Sequence, residues 1–177
     1  MRIPLIAPDN PVLRTKAKKV RKLGDLGSLA DDLLETMYLE GGVGLAAPQV
    51  GQGVRVFVTA VEGDRQVFIN PKITWRSEER IEWEEGCLSL PRLFGIVVRP
   101  KAVRVRALDI AGKEREIESD GLLGRVMQHE TDHLDGVLFP DRMDDLSTLR
   151  KVSEKEWESR HETNREGGRD DGKASIE

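Results

Sequence analysis

Hydrophobic positions along the chain switch between helical and strand spacing. Leu26, Leu29, Leu33 and Met37 recur at helical intervals, with Leu34 and Tyr38 widening the stripe, so a helix is expected over 25–40. Asp25 is placed to accept from the first free N–H groups, and Gly41-Gly42 to end the helix in a left-handed turn. Residues 54–60 (VRVFVTA) and 65–70 (RQVFIN) alternate and are rich in β-branched side chains. Glu62-Gly63-Asp64 between them supplies turn chemistry, which predicts a hairpin. Further strand pattern runs near 72–83, 96–108 and 113–118, and Ala111-Gly112 marks the last link as another hairpin. Helical spacing returns over 120–136, where Leu122, Val126, His129 and His133 share one face and Leu123, Met127, Glu130 and Leu134 lie beside it. Gly136 sits at the expected stop. A more polar helix is expected over 145–160, with Leu146, Leu149, Val152 and Trp157 as its weak apolar side.

Composition sets limits on what these elements build. The 177 residues fit one domain with one core, and 38% hydrophobic against 34% charged is a globular balance with a charged surface. The catalytic unit is expected to span 1–160. A polar, charged tail follows at 161–177, with low apolar content and glycines at 167, 168 and 172, a composition that does not build a core. With 28 basic and 32 acidic residues the net charge is -4, which gives no sequence evidence for nucleic-acid binding. No apolar run approaches a membrane span, and the proline-rich start MRIPLIAPDNP lacks the apolar core of a signal peptide. A cytoplasmic location is expected. A single cysteine, Cys87, rules out an internal disulfide. It is a small buried hydrophobe, a nucleophile or a metal ligand.

The chemistry sits in three short patches. His129-Glu130-Thr131-Asp132-His133 is an H-E-x-x-H pattern within the predicted helix. Four residues advance about 6 Å and turn about 40° past a full circle, so both imidazoles reach one ion. Glu130 lies beside that ion without binding it, where it can take a proton from water. Two histidines on a helix can also meet by chance, but on an apolar stripe they need partners, and a metal is one. A catalytic site of this kind needs a third protein ligand and an open position. Downstream, His161 lies in a polar stretch. Upstream, Glu85-Gly86-Cys87-Leu88-Ser89 offers the sole thiol, and a thiolate suits a borderline or soft divalent metal. The third patch, Gly42-Val43-Gly44-Leu45-Ala46-Ala47-Pro48-Gln49, has little side-chain bulk and lets a ligand approach the backbone. By itself it reads as a packing loop, and it lacks the Gly-Lys-Ser/Thr ending of a phosphate cradle.

Together the patches resemble the peptide deformylase family, whose motifs are G-x-G-x-A-A-x-Q, E-G-C-x-S and Q-H-E-x-D-H. All stand here unbroken, at 42–49, 85–89 and 128–133. The resemblance runs over about 3–143 and includes Pro8-Asp9, Pro11-Val12-Leu13, Leu134-Asp135-Gly136 and Phe139. It implies a compact α+β domain with antiparallel sheets packed around the helix that carries H-E-x-x-H. It implies Cys87, His129 and His133 as metal ligands and Glu130 as general base and then acid. Gln49 and the backbone N–H of Leu88 become the oxyanion donors, and Gly44 and Gly86 backbone partners of the bound peptide. The family removes formate from the N-formyl-methionine of nascent polypeptides, which places such a protein near the ribosome. Its usual metal is ferrous iron, for which zinc, nickel or cobalt can substitute. One departure is Gly124, where relatives often carry alanine; glycine there costs about 1 kcal/mol of helix propensity.

Two rival readings follow from the same residues. A zinc endopeptidase shares H-E-x-x-H, but the upstream cysteine and the small-residue loop argue against it. A structural metal module would close all four positions with protein ligands, and only three good candidates are present. The wall beside the metal is expected to be apolar, built from Leu122, Val126 and Val43, and to suit an unbranched thioether side chain.

Overall fold

The computed structural model of the chain describes residues 2–24 and 26–167. Three helices and eight strands are present among them: α1 (Leu26–Leu39), β1 (Gly44–Ala46), β2 (Val56–Val61), β3 (Asp64–Arg76), β4 (Arg80–Cys87), β5 (Leu90–Pro100), β6 (Val103–Leu108), β7 (Glu114–Ser119), α2 (Gly121–Leu134), β8 (Arg150–Lys151) and α3 (Glu154–Gly167). One antiparallel sheet has the order β1-β2-β3-β6-β7 and a second has β4-β5-β8. This is the α+β arrangement of antiparallel sheets around a helix that the sequence implied.

β2 shows why the larger sheet is covered on both faces. Successive strand side chains point to opposite sides. Phe57 packs with Phe68, Met127 and Leu134, on the side of α2. Val56 and Val58 pack with Leu33 and Met37, on the side of α1. The Phe57 and Phe68 rings stack at 4.5 Å. The smaller sheet closes over the other side of α2: Arg125 reaches the carbonyls of Ile81 and Val97, and Gln128 reaches that of Pro100. α2 therefore runs between the two sheets, and ten of its fourteen residues are buried. An extended approach segment is pinned beneath it by Ala17 N–H to the Leu134 carbonyl at 2.9 Å.

Local chemistry accounts for most boundaries. The expected hairpin forms between β2 and β3, with Glu62 at φ 52° and Gly63 at φ 78°, the pair of positive values that matches strand twist. Asp25, expected to cap α1, lies outside the described residues. The strand pattern near 72–83 divides into two strands at a turn where the Ser77 hydroxyl donates to the Glu79 carbonyl. The pattern at 96–108 divides at Lys101-Ala102, and β5 begins earlier than expected, at Leu90. The helix expected over 145–160 is corrected. Asp145 accepts from Ser147 N–H and caps a single 3-10 turn at Leu146–Thr148, and Arg150 and Lys151 pair with Phe94 and Leu93. Short polar side chains that bond their own backbone compete with a helix there. The helix starts only at Glu154 and runs past the boundary expected at 160/161; residues 168–177 lie outside the described residues.

Gly124 has a reason of its own. A Cβ at this position would lie 2.6 Å from the Ser119 carbonyl oxygen, so alanine would force the entry of α2 away from β7.

Candidate metal centre

β4 and α2 bring the ligand candidates together. β4 pairs with β5 in regular register as far as Gly86↔Phe94, then jumps to Cys87↔Leu90. Cys87 thus stands at the last strand position before a two-residue turn made by Leu88 and Ser89, facing α2. On α2, His129 and His133 are one turn apart with ring centroids 5.0 Å apart. One ligand atom each from Cys87, His129 and His133 lies within 4.8 Å of the others, and Cys87 Sγ is 3.2 Å from His133 Nε2. Donors around one ion at about 2.0–2.3 Å sit roughly 3.3–3.7 Å apart, so this triad fits a single mid-sized divalent metal. The surroundings fit too. Glu130 Oε2 is buried without a hydrogen-bond partner among the described residues, as expected of an acceptor reserved for a water beside the ion.

The histidine ligands are set by their neighbours. His129 Nδ1 meets Glu85 Oε2 at 2.9 Å, which turns Nε2 toward the site. Burial opposes charge on His129, but its contacts with Cys87 and Glu85 win and hold its pKa well above the usual value. Burial, with the nearby His129 and Arg99 charges, pushes His133 well below, toward the neutral form that ligates. Glu85 is itself buried, which disfavours its charge. Bonds from His129 and Arg99 outweigh this and hold its carboxyl far below the carboxylate range. Arg99 donates to Glu85 at 2.6 Å and to Asp132 at 2.7 Å, Arg125 donates to Glu85 at 2.9 Å, and Arg142 closes the lattice on Asp132 at 2.6 Å. Glu130 differs. Burial dominates there, and its pKa is pushed up to about 7. A carboxyl poised near neutrality is suited to both taking and returning a proton.

Gln49 is held as an oriented donor. Its Oε1 accepts from Ala46 N–H at 2.8 Å, which leaves Nε2 to point at Ser89 Oγ at 3.1 Å and Cys87 Sγ at 3.7 Å. Gly44, on the same loop, packs against α2. A Cβ there would lie 2.6 Å from both Glu130 Oε1 and Val126 Cγ1, so glycine alone leaves room between loop and helix. Leu88 rests on the same loop, since a Cβ on Gly42 would meet its Cδ1 at 2.8 Å.

A cavity of about 300 Å³ gathers nearly every residue singled out from sequence. Val43, Gly44, Gln49, Gly86, Cys87 and Leu88 line it from the loop and hairpin, and Leu122, Val126, His129 and Glu130 from α2. His133 lies behind them, buried, in contact with Cys87. Two groups at the site were not expected from the sequence. One is the charge lattice under His129; its only sequence signal was Glu85, a motif residue left without a role. Arg125 from this lattice also lines the cavity, so the wall is not wholly apolar. The other is Trp157, Arg160 and His161 of α3, which reach the cavity from a segment without a motif.

An α+β fold with a Cys-His-His donor group, a buried carboxyl beside it and an oriented amide opposite defines the class of mononuclear metal-dependent hydrolases. Residues 3–149 match the family described as polypeptide deformylase. The peptide deformylase of Treponema pallidum is 49% identical over 136 residues, covering 76% of this chain and 84% of that protein. That of Rhizobium meliloti is 48% identical over 149 residues, covering 81% and 86%. Among solved structures, the Thermotoga maritima peptide deformylase superposes with a TM-score of 0.80 at 41% identity, covering 82% of this chain and 99% of that one. The Synechococcus elongatus enzyme, solved with actinonin, gives 0.79 at 40% identity, covering 81% of each. The chain belongs to the peptide deformylase family and is an enzyme of that activity; the endopeptidase alternative finds no support. No helix among the described residues is long and apolar enough to cross a membrane.

Proposed function

We propose that the chain removes the formyl group from the N-formyl-methionine of nascent polypeptides, with Cys87, His129 and His133 holding one divalent ion. A divalent ion held by these residues would supply Lewis acidity toward water and the formyl carbonyl. Glu130 takes the water proton and returns it to the leaving amine. Gln49 Nε2 and Leu88 N–H donate to the oxyanion. Val43, Leu122 and Val126 receive the methionine side chain, and the backbone at Gly44 and Gly86 binds the extended peptide. The observation that carries this reading is the clustering of Cys87, His129 and His133 beside the buried Glu130 carboxyl and the pinned Gln49 amide.

Ferrous iron is the proposed metal, with zinc, nickel or cobalt as substitutes, and a cytoplasmic location near the ribosome is the proposed setting. The test is formate release from formyl-Met-Ala-Ser by protein purified without oxygen, with metal analysis of the same sample and casein as a control. Formate release without casein cleavage is expected; the reverse would overturn the reading. The iron form should lose activity in air faster than the nickel form, because iron beside a thiolate is oxidised. Equal lifetimes would count against iron.

A further inference from the structure

Outside the cavity, one strip of surface is strongly charged. Arg14, Lys16, Lys18, Lys19, Arg21 and Lys22 fall within nine residues, and 10–24 contains no Asp or Glu. The net charge of -4 conceals this strip. All six residues are exposed, and none lines the cavity at the metal centre. The backbone beneath them is pinned to the fold. Ala17 N–H donates to the Leu134 carbonyl and Lys18 N–H to that of Gly53, and the Lys18 carbonyl accepts from Arg55 N–H, each at 2.9 Å. Val20 is clasped by Asn70, whose side chain accepts from its N–H at 2.8 Å and donates to its carbonyl at 2.9 Å. Leu23 lies against the β6–β7 turn, where a Cβ on Gly112 would meet it at 2.5 Å. The apolar positions Ala17, Val20 and Leu23 recur every third residue and pack into the core, which leaves the cations between them outward. The strip thus runs from the end of α2 past β2 and β3 to the β6–β7 turn. Among the described residues, Arg14 alone of the six has an ion pair, with Asp141. The acids at the two ends of the strip are already engaged. Asp135 bonds Arg55 at 2.7 Å, and Asp109 accepts from the N–H groups of Ala111 and Lys113, both at 2.9 Å.

We infer that residues 14–22 hold the phosphate backbone of a double-helical RNA without reading its sequence; the choice of RNA rests on the deformylase reading above, since a polypeptide being synthesised is held on RNA. A row of unpaired cations attracts a polyanion and releases its counterions. Four of the six are Lys, point charges suited to phosphate oxygens. No aromatic residue lies in 10–24, so unpaired bases find no stacking platform there and a protein partner no aromatic anchor. Ala17, Val20 and Leu23 face the core, so no apolar side chain of 14–23 is left to enter a lipid surface. The partner that fits is the phosphate ladder of a duplex. The pinned backbone sets the cations in one row before binding, which lowers the ordering cost. The acidic remainder of the chain repels the same polyanion, so it docks on this face.

The test measures binding of the full chain to a labelled RNA duplex of about 20 base pairs by fluorescence anisotropy, from roughly 50 to 300 mM salt, with formate release from formyl-Met-Ala-Ser in the same samples. With about four or five phosphates neutralised, log Kd should rise with log salt at a slope of about 4, and Kd should be on the order of 1 μM at the lowest salt. The combined variant Lys18→Gln, Lys19→Gln, Arg21→Gln, Lys22→Gln should bind about 30-fold more weakly there, with a slope of about 1 and formate release unchanged. Lys19→Gln alone should take about one unit off the slope, and Lys19→Arg should leave it as it was. Should melting show the combined variant to be unfolded, Lys19→Gln and Arg21→Gln singly answer the same question. Duplex DNA of the same length should bind within about threefold of RNA, because the strip reads phosphates and not the 2′-hydroxyl. A slope below about 1 in the full chain, or RNA binding untouched in the folded combined variant, would overturn the proposal. So would duplex DNA bound about tenfold tighter than RNA, or vesicles containing phosphatidylserine bound tighter than RNA. Formate separates the two readings. Formate release without RNA binding overturns only the role of the strip, whereas RNA binding without formate release overturns deformylation and with it the choice of RNA.

Discussion

The floor and the rim of the cavity use the same kinds of residue and hold them differently. On the floor, Arg99 and Arg125 are each 5% exposed, and both bond Glu85, which in turn orients His129. On the rim, the side chains of Arg150 and Arg160 are 45% and 39% exposed and share Glu84 and Glu156. A buried lattice fixes its members because any one left alone is a desolvated charge. An exposed one is screened by water and leaves its helix open to change. The proposed metal ligands and proton carrier sit where the structure is overdetermined, and the rim sits where it is not.

The sharpest way to break the floor is through the metal. Cys87→Ala leaves a two-histidine site, so elemental analysis should find most of the metal lost and formate release should vanish. Full metal occupancy in that variant would remove Cys87 from the ligand set. Next comes Gln49→Leu, expected to lower kcat by roughly 10²–10³ through the lost donor. A change confined to KM would make Gln49 a positioning residue.

Removing one lattice partner tests the floor without touching a ligand. Glu85→Gln should destabilise the protein by about 3–5 kcal/mol, since Arg99 and Arg125 keep their charges in the interior. The pH dependence follows from the sign of the shift. Glu85 has a folded pKa below its ordinary 4.5, so its contribution is full above that value and is lost as pH falls below it. Denaturant melts at pH 7 and pH 4 should show a loss in the unsubstituted chain that Glu85→Gln reduces; an equal loss in both would show that Glu85 is not the group concerned. On the rim, Arg160→Ala should cost less than about 1 kcal/mol, no more than about 2–4 °C in melting temperature. A loss as large as that of Glu85→Gln would erase the contrast between the two regions.

That contrast also explains what could be read from the sequence. α1, α2, the β2–β3 hairpin and the three motifs rest on local spacing and turn chemistry, and all were legible. Arg99 and Arg125 look like surface positions in a strand and a helix. Only pairing with Glu85, 14 and 40 residues away, makes them core. The start of β5 was hidden because Pro91 and Gly95 weaken its pattern, while pairing with β4 carries it. α3 has little apolar periodicity, and Trp157 and His161 pack against Phe94 and Gly41, which no window of sequence contains.

Binding the ion and moving the proton are assigned to different residues of the same floor. Glu130→Gln tests this in one sample, by metal analysis and formate release from formyl-Met-Ala-Ser together. Metal at the level of the unsubstituted chain with a rate lower by about 10²–10⁴ is the expected result. Turnover near that of the unsubstituted chain, or loss of the metal along with the rate, would contradict it.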